Sequence, residues 1–344
     1  MHDSSTIRVG IVGAGANTRL RHIPGLQAQA GVEVVAVANR TRQSGEAVAR
    51  DFGIPTVYER WTEVIHDDRV QAVVIGTWPY LHCPVTLAAL EAGKHVLCEA
   101  RMAMSASEAR AMLAAARTRP DLVAQVVPSP YTLKVDNTVK RLLAEGYVGQ
   151  VLAVDVTVGG TFIDRDSPLH WRQNADLSGY NAMTLGIWYE AVMRWVGEAT
   201  RVLASTRTFV STRKDAEGKL QSVRVPDHVD VIADLACGGQ LRLQVSAVTG
   251  LADPPSITVY GDAGTLRFTN EALLGGRRGD RQLLPISQPP HEVDTWRVEE
   301  QFVAAIRHQQ PVRLTTFEDG VRHMEFTEAV ARSSATGRAV PLPL

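Results

Sequence analysis

Ile7-Arg8-Val9-Gly10-Ile11-Val12-Gly13-Ala14-Gly15-Ala16-Asn17-Thr18 is the stretch that decides the organisation of this chain. Its first six residues are apolar and rich in β-branched side chains, which reads as a buried strand. A glycine turn follows at once, then a helical stretch, then a second strand over 32–38 that ends in Asn39-Arg40-Thr41-Arg42. This is a β-α-β unit opened by a tight turn. Gly13 permits the turn, and Gly15 lets backbone approach a pyrophosphate with no Cβ between them. The helix start at Ala16 and Asn17 offers N–H groups and partial positive charge to phosphates. The third glycine position of such a turn holds Thr18. The setting, between a strand and a helix, is what gives the short motif its weight.

Outward from this unit the alternation continues. Helix is expected over 43–52, strand over 70–76, helix over 83–92, strand over 95–99, helix over 105–117 and strand over 122–127. Ser105 and Glu108 form a capping box at the head of one of these helices. Strictly alternating elements imply a doubly wound parallel sheet, a Rossmann arrangement within the α/β class. Near Gln150 the pattern changes. A long strand over 151–158 has no crossover helix behind it, and strands over 201–209, 227–235, 240–247, 256–260 and 265–268 follow with turn signals between them. That implies a C-terminal α+β domain with a mostly antiparallel sheet. Helices over 134–145, 181–196, 295–309 and 318–334 accompany it. Two domains are expected, a dinucleotide-binding one over 1–128 and a substrate-binding and oligomerisation one over 129–344.

Composition narrows the function classes. The 344 residues are 45% hydrophobic and 21% charged, with 36 basic and 37 acidic side chains. A balanced, interspersed charge argues against a nucleic-acid surface or an anionic-membrane patch. Three cysteines without CxxC spacing indicate neither a zinc site nor a disulfide framework, and no metal is expected. Met1-His2-Asp3-Ser4-Ser5 has no basic or apolar leader character, and no apolar run is long enough to span a bilayer. A cytoplasmic protein is expected.

Five stretches in order then resemble the glucose-fructose oxidoreductase / inositol dehydrogenase (Gfo/Idh/MocA) family. They are the glycine unit with His22-Ile23-Pro24-Gly25-Leu26 behind it, Val73 to His82, Leu87 to Glu99, Trp171-Arg172 with Ser178-Gly179 and Leu185-Gly186-Ile187, and Ile257 to Leu266. Glu318-Asp319-Gly320 and Ser334 to Arg338 fit as well. The resemblance implies NAD(P)-dependent oxidation or reduction of sugars, polyols and related cyclic alcohols. It also implies a homo-oligomer built on the open face of the C-terminal sheet. Its cofactor residues here would be Gly13, Gly15, Ala16, Asn17, Asn39, Arg40, Thr41, Thr77 and Trp78, with His82, Glu99 and Arg101 on the nicotinamide side. NAD-binding members often carry a carboxylate where this chain has Asn39. Its absence, with Arg40 and Arg42 beside it, favours NADP over NAD; Arg40 stacking on adenine would suit either.

The same resemblance exposes departures. The family's Glu-Lys-Pro reads Glu99-Ala100-Arg101 here, so the lysine that commonly exchanges a proton with substrate is an alanine. Arg101 stays charged and cannot act as an ordinary base. It is either an anchor for an anionic substrate or one partner of an ion pair. The family's aspartate and histidine on the following helix read Thr184 and Trp188, four apart and on one face. Trp188 is either a stacking platform or a core aromatic. Tyr180, His170 and Tyr189 are the candidates to take the proton. Arg101, Trp171, Arg172, Asn181, Thr184 and Trp188 are the candidates to bind substrate. The leading expectation is an NAD(P)-dependent oxidoreductase of a sugar derivative, cyclic diol or related small polar compound with a non-standard proton relay. The alternatives are an enzyme that oxidises and re-reduces one carbon to permit elimination, hydrolysis or epimerisation, or a non-catalytic binding subunit.

Overall fold

The structure is a computed structural model that describes residues 6–269 and 272–344; the Met1 to Ser5 stretch read above as lacking leader character lies outside them. The chain divides into two compact units, one formed by residues up to Pro128 with Arg297–Val321, the other by Ser129–Trp296 with Arg322–Leu344. No helix among the described residues is long and apolar enough to cross a membrane.

In the first unit, strands β1 (Ile7–Val12), β2 (Val32–Ala38), β3 (Thr56–Tyr58), β4 (Ala72–Ile75), β5 (His95–Cys98) and β6 (Ala124–Val126) form a parallel sheet in the order β3-β2-β1-β4-β5-β6. The order reverses direction beside β1, which places the crevice of a doubly wound sheet over the C-terminal ends of β1 and β4. β1 and β4 are apolar on both faces because helices cover both: Val9, Ile11, Val73, Val74 and Ile75 are fully buried. The helix Arg42–Phe52 is capped by Thr41, whose Oγ1 accepts the Ser44 N–H at 3.2 Å, and it ends at Gly53 in the left-handed region.

In the second unit, β7 (Val151–Gly160), β8 (Ala199–Arg207), β11 (His228–Leu235), β12 (Gln240–Gly250), β13 (Ser256–Gly261), β14 (Gly264–Thr269), β15 (Ala272–Arg277), β16 (Leu284–Pro285) and β17 (Val340–Pro341) form a mixed sheet, and β9 (Thr212–Lys214) pairs with β10 (Leu220–Ser222) in a separate hairpin. Only the β7–β12 pairing in the large sheet is parallel among the described residues. The alternation of side chains splits the sheet into two faces. Val154, Val156, Val202, Val231, Leu241, Leu243 and Ile257 pack into a core with the helices Leu133–Ala144 and Leu185–Val196. On the opposite face Leu152, Leu203 and Ile232 stand exposed among charged pairs.

The helix expected from Asn181 begins later, at Leu185. Met183 adopts φ 45°, a left-handed conformation that interrupts the helix, and Thr184 becomes the residue before its first turn. The 295–309 helix is shorter than expected, Val298–Ile306, and the last helix runs Phe317–Thr336. β9, β10, β15, β16 and β17 were not anticipated. β15 contains Gly275-Gly276; a Cβ on Gly275 would collide with Ile286 Cδ1, so the glycine serves a close approach.

Candidate functional site

A cleft of about 560 Å³ opens at the C-terminal ends of β1, β2 and β4. It is lined by Gly13, Gly15, Asn39, Arg40, Thr77 and Trp78, drawn from separate crossovers of the sheet. Gly13 has φ 82°, and a Cβ there would meet Thr77 Cγ2 at 2.5 Å and Thr77 N at 2.8 Å. Glycine is therefore required twice over at this turn, by conformation and by space. The Gly13 N–H donates to Ala38 O at 2.8 Å and the Ala14 N–H donates to Asn39 Oδ1 at 2.7 Å. Both bonds fasten the turn to the end of β2. Residues 16–27 are then helical, as a π-helical turn Thr18–His22 leading into the α-helix Ile23–Gln27. The N–H groups of the first helical turn have no intrahelical acceptor, so they face outward from the turn as donors. Taken together, the glycine cradle, the pinned turn and the helix start fit a dinucleotide's pyrophosphate.

The part of the same cleft beside the end of β2 carries two arginines, Arg40 and Arg60. The Arg40 guanidinium lies 5.4 Å from the centre of the Trp78 ring, a cation–π distance. Ser44, Arg60 and Tyr80 line the cleft as well, and sequence reasoning did not single them out. Glu59 is the carboxylate among the lining residues, and Arg42 engages it at 3.1 Å.

Other expected cofactor residues sit differently. Thr41 is a helix cap. Both ring nitrogens of His82 face backbone carbonyls, Thr77 O at 3.0 Å and Arg101 O at 2.9 Å, and the side chain is enclosed. Burial pushes its pKa down. A direct contact of His82 with cofactor is therefore corrected to a role as a post between two loops. Arg101 is buried. The Ala100 N–H donates to Glu99 Oε2 at 3.0 Å, and Asn17 Nδ2 donates to Glu99 Oε1 at 2.5 Å. Glu99 and Asn17 thus form one group with His22, a residue the sequence reading placed in a motif without assigning it a role.

In the second unit the expected substrate and proton-transfer residues do not form one cluster. Tyr180 is exposed and lines a cavity of about 470 Å³ with Asp176, Thr206, Arg224 and Ser334. His170 is exposed, and its Nδ1 accepts the Arg172 N–H at 3.3 Å. Partial burial and the neighbouring Arg172 charge hold its pKa below the ordinary value. Neutral imidazole can accept a proton. Trp171 and Arg172 engage each other, with the guanidinium 4.3 Å from the ring centre.

Two expectations change here, for Tyr189 and Asn181, and of the two alternatives for Trp188 the core aromatic is the one found. Tyr189 is 1% exposed, stacked on Phe326 with ring centres 3.6 Å apart, and its hydroxyl accepts the Ala199 N–H at 2.8 Å. Burial pushes its pKa well up. It is a core residue, and the expectation that it takes a substrate proton is corrected. Asn181 is fully buried and donates to Ser178 O at 2.7 Å, closing the turn after the short helix Ala175–Ser178. Trp188 is 6% exposed because Tyr131 stacks on it, ring centres 4.9 Å apart at 30°. The side chain that presents a ring to solvent is Tyr131, which is 41% exposed. No pattern around Tyr131 points to it in sequence; the stack exists only through the packing of residue 131 on the first turn of Leu185–Val196. Behind it, Arg194 bridges Asp136 at 3.0 Å and Glu190 at 3.1 Å and donates to Ser129 O, tying the start of this unit to the helix that carries Thr184 and Trp188.

Comparison with known proteins agrees with this architecture. The oxidoreductase-family model GFO_IDH_MocA, an NAD-binding Rossmann fold, matches residues 7–126, and the GFO/IDH/MocA C-terminal domain model matches residues 137–267. Trans-1,2-dihydrobenzene-1,2-diol dehydrogenase of Sus scrofa is 32% identical over 83% of this chain and 82% of its own length. The 1,5-anhydro-D-fructose reductase of Ensifer adhaerens is 28% identical over 97% of this chain and 98% of its own. Levoglucosan dehydrogenase, solved in complex with NADH and L-sorbose, superposes with a TM-score of 0.88 at 23% identity, covering 98% of this chain and 99% of that one. At that identity the likeness speaks to the fold.

Proposed function

The chain belongs to the Gfo/Idh/MocA family of oxidoreductases, and on that premise we propose an NAD(P)-dependent oxidoreductase of a sugar derivative, cyclic diol or related small polar compound, in which a group other than the family's lysine handles the substrate proton. One observation carries this reading: the pinned glycine turn and its cleft lie in the same unit as Ala100, which has no proton to exchange. Relatives named for a dihydrodiol and an anhydrosugar support the substrate class.

Bound nicotinamide supplies a hydride acceptor or donor. The protein's own part in alcohol oxidation is to hold the substrate and remove the hydroxyl proton as the carbon loses its hydride, leaving a carbonyl. His170 is a base in its neutral form at pH 7, and Tyr180 is an accessible hydroxyl at a cavity that also holds Asp176 and Arg224. These two are the proposed relay candidates, and Tyr131, Trp171 and Arg172 the proposed substrate contacts. Gly13, Gly15, Ala16, Asn17, Asn39, Arg40, Thr77 and Trp78 are the proposed cofactor residues.

NADP is the proposed cofactor. The amide of Asn39 replaces a carboxylate, Arg40 and Arg60 bring cations to the cleft, and Glu59 is already engaged by Arg42. A 2′-phosphate meets attraction there. The exposed Leu203 and Ile232, adjacent in register on the open sheet face with the Arg242–Asp155 pair at 2.6 Å beside them, support a homo-oligomer through that face. Titration of purified protein with NADPH and NADH, read by nicotinamide fluorescence, tests the function. Absence of binding to both defeats it, and turnover on a panel of anhydrosugars and cyclic diols would remove the reading as a binding subunit.

A further inference from the structure

The buried pair His22 and Glu299 takes no part in the chemistry just described. His22 Nδ1 lies 2.5 Å from Glu299 Oε1, and its Nε2 lies 3.0 Å from Glu99 Oε1. The imidazole is wholly buried and the Glu299 side chain nearly so, at 4%. Asn17 donates to the same Glu99 oxygen that faces His22. One ring thus joins three segments of the first unit: the helix start after the glycine turn, the end of β5, and the helix Val298–Ile306. Space is arranged for this. A Cβ on Gly25 would stand 2.8 Å from Glu299 Oε2.

We propose that His22 and Glu299 are positioning residues for the dinucleotide, which through the imidazole hold the Glu99 carboxylate on Asn17 and so keep the glycine turn in its binding shape. The proposal rests on the dinucleotide reading above. An imidazole donates from both nitrogens only when doubly protonated. With a neutral ring, one of the two carboxylates would face the lone pair of a wholly buried nitrogen, a costly arrangement. Facing the ring are the carboxylates of Glu99 and Glu299 and the carboxamide of Asn17, whose Nδ2 is 3.4 Å from Nε2. Burial disfavours the cation, but the hydrogen bonds and charges of Glu299 and Glu99 outweigh it and raise the His22 pKa to about 9. Glu99, partly buried, is held below the ordinary carboxylate range by the His22 and Asn17 bonds, which outweigh its desolvation. The bridge is therefore intact at neutral pH and opens as pH rises through about 9.

The test titrates NADPH and NADH into the wild type, Glu299→Gln and Gly25→Ala between pH 7 and pH 10, and follows the ¹⁵N resonances of the His22 ring. Glu299→Gln keeps an acceptor for Nδ1 but removes a charge. Its dinucleotide Kd is expected to rise about tenfold at pH 7, and its alkaline loss of affinity to move to lower pH. Gly25→Ala changes no titrating group, is favourable in a helix by itself, and displaces Glu299 through the added methyl. It is expected to weaken binding in the same sense, and it decides the matter if Glu299→Gln does not fold. The ring resonances are expected at imidazolium values at pH 7. A wild type that binds while both variants keep its Kd and pH profile, or a neutral His22 at pH 7, overturns this proposal alone. A wild type that binds neither dinucleotide overturns the dinucleotide reading, and this one with it.

Discussion

The side-chain oxygen of Asn39 accepts the backbone N–H of Ala14 at 2.7 Å, fastening the end of β2 to the turn that follows β1. With its oxygen committed, the amide has its NH₂ left as a donor. Asn39→Asp preserves the acceptor and adds a negative charge. NADPH affinity is expected to fall about tenfold or more while NADH affinity holds or improves, a switch read directly from the ratio of the two Kd values. Arg40→Ala is expected to erode the NADPH preference from the other side. An unchanged ratio in both variants would sink the NADP assignment.

Gly13→Ala tests the turn. The φ of 82° and the 2.8 Å approach of a Cβ to Thr77 N oppose any side chain. A loss of about 1–3 kcal/mol in denaturant stability is expected, with dinucleotide binding abolished. Wild-type binding by this variant would mean the turn does not hold phosphate.

Trp188 and Tyr131 separate packing from binding. Trp188→Ala empties a buried site and is expected to cost about 3–5 kcal/mol of stability. Tyr131→Ala removes a stacked but half-exposed ring, at about 0.5–1.5 kcal/mol, and is expected to raise KM more than it lowers kcat. A Tyr131→Ala enzyme with wild-type KM has no substrate contact there.

The proton relay has a pH signature. His170 titrates below its ordinary value, so a base role predicts an acid-side fall in kcat/KM whose midpoint lies below the ordinary imidazole range. His170→Gln is then expected to lose about a hundredfold in kcat and to flatten that limb. If the limb survives in His170→Gln and kcat collapses instead in Tyr180→Phe, the proton passes through Tyr180.

Stability should fall in alkali for a reason separate from cofactor. The His22 pKa is raised, about 9 folded against 6.5 for the free side chain. Its stabilising contribution is therefore complete below pH 6.5 and disappears as pH climbs through 9. The shift corresponds to about 3 kcal/mol. Thermal melts of the wild type between pH 6 and pH 10 should slope downward, and His22→Gln should remove most of that slope while starting from a lower Tm.

Much of the first sheet was legible because its strands report locally. Val9, Ile11, Val73 and Val74 sit in apolar runs bounded by glycine and helix starts, and such runs become buried parallel strands in almost any context that supplies crossover helices. Gly13, Gly15, Asn39 and Arg40 were legible as cleft residues for the same reason, since their places follow from β1, β2 and the turn between them. Ser44, Arg60 and Tyr80 reach the cleft from a helix, a loop and a 3-10 turn whose approach no local pattern encodes.

The sequence by itself determined the class of each half and the dinucleotide turn, because periodicity and glycine placement are properties of neighbouring residues. Only the tertiary structure decided which polar residues are available. Tyr189 and Asn181 were candidates until their hydroxyl and amide proved to be closed onto backbone groups in the interior, and Tyr131 was unremarked until it proved to cover Trp188. The partnership of His22 with Glu299 spans 277 positions and depends on packing that brings two helices together. The two carboxylates, outweighing burial, then turn an ordinary histidine into a lasting cation, something no stretch of sequence around it could express.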